Sequence, residues 1–243
     1  MKAIVKTLIC ITAAMAALTS CKKDDTLQYG NATMGNVVDG TFISDQGNIF
    51  TVVEKNTNAE LEKMKRAFVV CDVLKKVAET ENEYEVRLNG CVEVLTKNPV
   101  EKSYADSDEE MSVNDPINIE YPVYLWISGG YINMLVSFDV KTGSKTKHLV
   151  NLVFDKEAST GNQYVFNLRH NSFGESLIYG TADSQLAHNY VSFPITKIVK
   201  EDNAKLVFKW KWHKDVGSRF DYLFEKDYSF EFDWTRSGFE HKF

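Results

Sequence analysis

Trp126-Ile127-Ser128-Gly129-Gly130-Tyr131-Ile132-Asn133-Met134-Leu135-Val136 reads as strand, turn, strand, and that reading decides the fold class. β-Branched and aromatic residues suit a pleated, half-buried surface. Two adjacent glycines supply the positive φ angles that a two-residue hairpin turn needs. The stretch therefore predicts strands over residues 121–128 and 131–140. Outward in both directions the same period-two texture recurs, over 37–43, 49–54, 67–77 and 84–96 on one side. On the other side it covers 148–154, 164–169, 190–198, 205–212 and 228–234. Helical periodicity is weak everywhere except 58–64, where Asn58 is placed to cap a short helix. The chain is all-β.

Near the C-terminus the alternation assigns faces. In Phe208-Lys209-Trp210-Lys211-Trp212 and Tyr228-Ser229-Phe230-Glu231-Phe232-Asp233-Trp234, aromatics share one side and polar residues the other. Antiparallel pairing about residue 221 would set Lys209 against Asp233 and Lys211 against Glu231. Residues 99–116 differ in texture. They hold Glu101, Asp106, Asp108, Glu109, Glu110 and Asp115 between two prolines, with no apolar rhythm. That composition reads as an acidic linker, dividing a first domain over 36–98 from a second over 117–243. Limited proteolysis is expected first between residues 102 and 114. The short strands of the second domain, at their regular spacing, suggest a β-sandwich.

The N-terminus has the order of an export signal. Lys2 and Lys6 precede an apolar run that ends in Leu18-Thr19-Ser20-Cys21. The run is short of the roughly 20 residues that span a bilayer as a helix. Leu18-Thr19-Ser20-Cys21 is similar to a bacterial lipobox, which implies cleavage after residue 20 and acylation of Cys21. More than one acyl chain gives stable anchoring. Residues 21–35 then form a tether, and the membrane becomes a partner through the N-terminal acyl chains. Lys22-Lys23-Asp24-Asp25 is similar to the lysine-plus-acidic export signal of Bacteroidetes surface lipoproteins, so the expected place is the outer-membrane surface. Asp25-Thr26-Leu27 resembles a short O-glycosylation motif of that group.

Loss of residues 1–20 removes Lys2 and Lys6. Basic residues fall from 28 to 26 against 34 acidic ones, and the formal charge moves from −6 to −8. An acidic surface repels phosphate backbones, which argues against nucleic acid as a partner. Cys71 and Cys91 are then the remaining thiols. A turn centred near residue 81 would place them opposite one another on paired strands, within disulfide range, in a compartment that permits the bond. The Asn89-Gly90 pair could insert a bulge and spoil that register. A disulfide and a pair of small buried apolar side chains both fit.

Three further stretches carry a family resemblance. Trp126 to Asn133, Lys147-His148-Leu149-Val150-Asn151-Leu152-Val153 and Leu168-Arg169-His170-Asn171 resemble the signatures of NigD-like lipoproteins in order and spacing. Val191-Ser192-Phe193-Pro194 extends the likeness. Arg66-Ala67-Phe68-Val69-Val70 through Val94-Leu95-Thr96-Lys97 resembles the first domain of that family. The resemblance implies an N-terminal OB-like barrel followed by a C-terminal immunoglobulin-like β-sandwich, and it brings no established activity. Residues 211–227 depart from it, being longer and more charged than the closing hairpin of the family.

Catalytic and cofactor signatures are missing from the sequence: there is no G-x-S-x-G, P-loop, G-x-G-x-x-G, H-E-x-x-H or C-x-x-C. The histidines His148, His170, His188, His213 and His241 have no metal-binding spacing. Asp106-Ser107-Asp108-Glu109-Glu110 lacks the glycine and terminal glutamate of an EF-hand loop. No catalytic residue, metal or cofactor is expected. The most function-like group is Arg169, His170 and Asn171, which joins a cation, an imidazole and an amide where a strand ends. Such side chains also commonly satisfy backbone carbonyls at that place. Two functional classes follow. One is a non-enzymatic envelope module that binds an unknown protein, peptide or glycan. The other is an immunity or protection lipoprotein directed at an antimicrobial peptide.

Overall fold

The computed structural model describes residues 31–119, 125–175, 183–201, 203–213 and 225–235. The Cys21 lipobox and its flanking signals lie outside them. Five strands make the first domain: β1 (Asn31–Val38), β2 (Thr41–Ser44), β3 (Ile49–Lys55), β4 (Arg66–Lys76) and β5 (Glu83–Glu93). They close in the order β1-β2-β3-β5-β4, with β1 paired to β4 and β3 running parallel to β5. That is the OB arrangement. Phe42, Phe50, Ala67, Val69, Cys71, Val73, Val86 and Leu88 fill its interior. The barrel begins earlier than the tether reading allowed, because Asn31 already pairs with Cys71 and Met34 is buried. Gly35 is required where the barrel is tightest: a Cβ there would lie 2.2 Å from the Ile43 carbonyl oxygen. The expected helix over 58–64 shrinks to a single 3-10 turn, Leu61–Lys63, with no side-chain cap.

β4 and β5 form the predicted hairpin, but its register corrects the cysteine pairing. Val70 pairs with Gly90 and Cys71 with Leu88, so Asn89 is an extra, bulged residue. Cys91 consequently faces Val69, and both cysteines are free thiols. They pack as apolar side chains of the barrel core. Burial pushes the Cys71 thiol up to about 11, with Asp72 adding to the shift, and burial raises that of Cys91 as well.

The second domain packs two sheets. One contains β6 (Leu95–Thr96), β8 (Asn118–Ile119), β9 (Leu125–Ser128), β10 (Tyr131–Lys141) and β13 (Ser184–Pro194). The other runs β15 (Glu225–Thr235), β14 (Asn203–His213), β12 (Gln163–Asn171), β11 (Leu149–Thr160), β7 (Val100–Glu101). Ile132, Met134, Val136, Leu152, Phe166, Leu168, Val191, Phe193, Leu206 and Phe208 lie between them. Three parallel pairings, β6 with β13, β7 with β11 and β12 with β14, set this sandwich apart from one built of antiparallel strands alone.

Gly129 and Gly130 turn β9 into β10 with φ of +56° and +82°, as the opening stretch predicts. The pairing of β14 with β15 is antiparallel, but its register differs from the expected one. Lys209 faces Ser229 and Lys211 faces Asp227, four residues from the predicted partners. Period two makes an even shift preserve every face, so Trp210 remains buried and Lys209 exposed. The ladder runs on to His213 and Glu225, taking up both ends of the departing 211–227 segment.

The acidic stretch 99–116 is not a free linker. Val100 and Glu101 pair with β11, and Lys102–Ser107 forms helix α1, in which Ala105 is fully buried. Lys102 reaches Asp155 at 2.9 Å. The actual crossover is a single residue, Val94, between β5 and β6. Val94 is buried, and its N–H donates to the Arg66 carbonyl at 2.9 Å. A one-residue buried connection leaves the domains no swivel.

Candidate functional site

Arg169, His170 and Asn171 end β12, and each reaches back to the acidic stretch. The Arg169 guanidinium donates to Asp106 at 2.6 Å and to the Met111 carbonyl at 3.4 Å. Asn171 donates to the Glu110 carbonyl at 3.0 Å and accepts from the Phe173 N–H at 2.8 Å. His170 is buried, and its Nδ1 donates to the Pro116 carbonyl at 2.9 Å. Next along the chain, Asp115 accepts from both the N–H and the hydroxyl of Ser172, at 2.8 and 2.5 Å. The three side chains therefore pin residues 106–116 to the sandwich.

A second chain of contacts starts from His170. Because Pro116 can only accept, Nδ1 of His170 carries a proton and a neutral ring offers Nε2 to His148 Nδ1, 2.9 Å away. His148 Nε2 meets Glu175 at 3.3 Å, and Ser144 donates to the other oxygen of Glu175. The Phe138 ring stacks on His148 at 4.6 Å. Burial opposes ionisation of Glu175. The donors Ser144, the Lys141 N–H, Thr146 and His148 outweigh it and hold the carboxyl at about 2.

This order of groups has consequences for chemistry. The Ser144 hydroxyl gives its hydrogen bond to the Glu175 carboxylate and not to an imidazole. The two imidazoles face each other at hydrogen-bond distance, which leaves no space for an ion between them. Among the described residues no group of three His, Cys, Asp or Glu side chains is arranged to hold a metal.

A larger polar cluster, which sequence reasoning did not single out, lies between the domains. Arg66 opens β4 and points away from the barrel interior, yet it is only 1% exposed, because β10 and β13 cover it. Its guanidinium makes a two-pronged pair with Asp45, at 2.8 and 2.7 Å, and Asp45 is 3% exposed. The remaining donors reach Asn36 at 3.1 Å, Asn133 at 2.9 Å and Ser192 at 3.0 Å. Its flat face sits 3.8 Å from the centre of the Tyr131 ring.

The partners are themselves linked. Ser128 donates to Asp45 at 2.5 Å, Asn133 to Ser128 at 3.0 Å, and Ser192 to Asn133 at 2.6 Å. Gly129 is needed here for a second reason, since a Cβ on it would lie 2.6 Å from Asp45 Oδ1. Nearby, Phe68 stacks on Tyr190 across the junction, with ring centres 4.4 Å apart. A charge pair with this many hydrogen bonds is well compensated. The available signal was that Arg66, Ser128, Asn133 and Ser192 all fall within the stretches that resemble one family.

Closed OB-type barrel, sandwich and a buried ionic junction define a two-domain all-β protein. Residues 99–225 match the model of the NigD-like C-terminal beta sandwich domain, and the chain belongs to the NigD-like family. No curated protein sequence matches it. Among solved structures, a NigD-like immunity protein from Bacteroides caccae is similar over 86% of this chain and 99% of its own, with TM-score 0.57 and 17% identity. A protein from Bacteroides fragilis described as a lipoprotein is similar over the same shares, with TM-score 0.58 and 15% identity. A protein from Parabacteroides distasonis described as toxin-related is similar over 83% of this chain and 91% of its own, with TM-score 0.57 and 20% identity.

Proposed function

We propose that this chain is a non-enzymatic envelope lipoprotein that acts as a binding or interaction module, held by acyl chains on Cys21 and displayed at the outer-membrane surface. The observation that carries this reading is the use made of its polar side chains. Arg66, Asp45, Arg169, His170, Asn171 and Glu175 are each engaged in holding one part of the chain to another. The product of those contacts is a rigid two-domain body, which suits presentation of a fixed surface. The lipobox and the likeness to a protein described as a lipoprotein support the anchor.

A second reading is immunity against a bacteriocin or other antimicrobial peptide. The similarity to a protein described as an immunity protein favours it. Replacing Cys21→Ser tests the anchor: the variant should leave the membrane fraction or accumulate unprocessed. Fractionation identical to the parent would contradict lipidation. Replacing Lys23, Asp24 and Asp25 by alanine should reduce access of external protease while keeping membrane attachment, and unchanged access would contradict the surface signal. Killing assays with and without the chain separate the two readings, because an immunity protein changes sensitivity to the peptide and a module that binds another ligand does not.

A further inference from the structure

The interior of the sandwich ends in two imidazoles. On β12 the residues that turn into the core are Phe166, Leu168 and, two further on, His170. Val150 and Leu152 of β11 do the same, and the alternation carries His148 in with them, its side chain only 2% exposed. Phe138 of β10 meets both rings from the other sheet, at 4.6 and 5.1 Å between ring centres.

The neighbours of the four ring nitrogens determine how many protons the two rings hold. The Pro116 carbonyl can only accept, so His170 Nδ1 carries a proton. His170 Nε2 and His148 Nδ1 lie 2.9 Å apart, a spacing that needs one proton between them. His148 Nε2 faces Glu175 at 3.3 Å. Glu175 is ionised, held at about 2 by its donors, and a carboxylate only accepts, so this nitrogen carries a third proton. Two neutral imidazoles carry two protons in all. A fourth would set two N–H groups against each other at 2.9 Å.

We propose that His148 and His170 together bind one proton beyond those of two neutral rings, as a single imidazolium matched by Glu175, and that this proton closes the end of the sandwich. Other charged groups on the elements around the pair are directed elsewhere. Asp115, beside Pro116, accepts from Ser172, and Arg169, beside His170, reaches Asp106. Asp139 follows Phe138, and Lys209 and Lys211 alternate with buried Phe208 and Trp210, so period two sets all three on outer faces. Lys141 and Lys147 are exposed. Through the bound proton, the segment ending at Pro116 and the turn carrying Glu175 are held to one pair of rings. Once it leaves, a bare Nε2 faces a carboxylate and the His148–Glu175 contact becomes repulsive. A proton held more tightly in the folded chain stabilises it at lower pH, and that stability is lost as pH rises. The two rings titrate as one unit.

Nitrogen NMR of the imidazole rings in the full-length chain, solubilised in detergent, tests this. His170 Nδ1 and His148 Nε2 should both be protonated, with one proton more between the rings. That state should persist to about one pH unit above the transition of the exposed His188, a roughly tenfold difference in proton affinity. Glu175→Gln removes the matching charge and should lower the transition of the pair by about one pH unit. Hydrogen exchange gives a second readout on the parent. The Lys141 N–H donates to Glu175 at 2.9 Å, and its protection should fall about tenfold as the proton leaves. Two neutral rings wherever His188 is neutral, a transition unmoved in a folded Glu175→Gln variant, or Lys141 protection constant through it would overturn the proposal.

Discussion

Arg66 is buried because one domain docks on another, whereas His170 is buried because an acidic segment folds back within one domain. Around Arg66, two fully enclosed charges are matched by neutral amides and hydroxyls from four separate segments. Around His170, backbone carbonyls accept from a tripeptide at the end of one strand, and the charged members Arg169 and Glu175 lie nearer the surface. The first arrangement depends on the relative placement of both domains. The second depends only on the sandwich, so damage to it should stay local.

Arg66→Ala should have the largest effect. It leaves Asp45 buried beside amides and a hydroxyl with no cation, a change that costs about 3–5 kcal/mol. Denaturant unfolding of the soluble form would measure it, and a loss no larger than that of a surface substitution would break the contrast between the clusters. His170→Ala comes second. It strands the Pro116 carbonyl and His148 Nδ1, with an expected loss of about 1–3 kcal/mol, and cleavage within residues 106–116 should appear while the barrel stays resistant.

The next effect depends on pH. The Glu175 carboxyl is held at about 2 in the folded chain against an ordinary value of 4.5. A depressed carboxylate contributes stability above its unfolded value and loses it as pH falls through the folded one. Stability attributable to Glu175 should therefore be complete above pH 4.5 and disappear between there and about 2. Glu175→Gln should flatten that part of the stability profile, and an unchanged slope would mean that Ser144 and His148 do not act on it. Arg169→Ala is the smallest, since Asp106 is half exposed. About 0–1 kcal/mol is expected from an ion pair of this kind.

Much of the fold was legible in the sequence, and the limits have physical causes. Gly129-Gly130 announced a hairpin because glycine adopts two successive positive φ angles without strain. Faces in 208–212 were readable because alternation survives any even change of register, while the register itself depended on where the β14–β15 hairpin turns. For the cysteines, the bulge that Asn89-Gly90 allowed is present and displaces every partner beyond it, which selects the pair of apolar thiols over the disulfide. The acidic stretch looked like a linker because its hydrogen bonds use carbonyls and carboxylates, which leave no apolar period. Arg66 was invisible as a core residue for a related reason. It lies on the outer face of a barrel strand, a solvent position until the second domain covers it. Arg169, His170 and Asn171 stood out as a group, but their role in pinning residues 106–116 required the three-dimensional partners.

Scanning calorimetry of the lipid-free chain tests the central claim most directly, that the one-residue crossover and the Arg66–Asp45 junction make the two domains a single cooperative body. The account predicts one transition with equal calorimetric and van't Hoff enthalpies, and its division into two in Arg66→Ala. Two separate transitions in the unaltered chain, or a single unchanged one in Arg66→Ala, would contradict it.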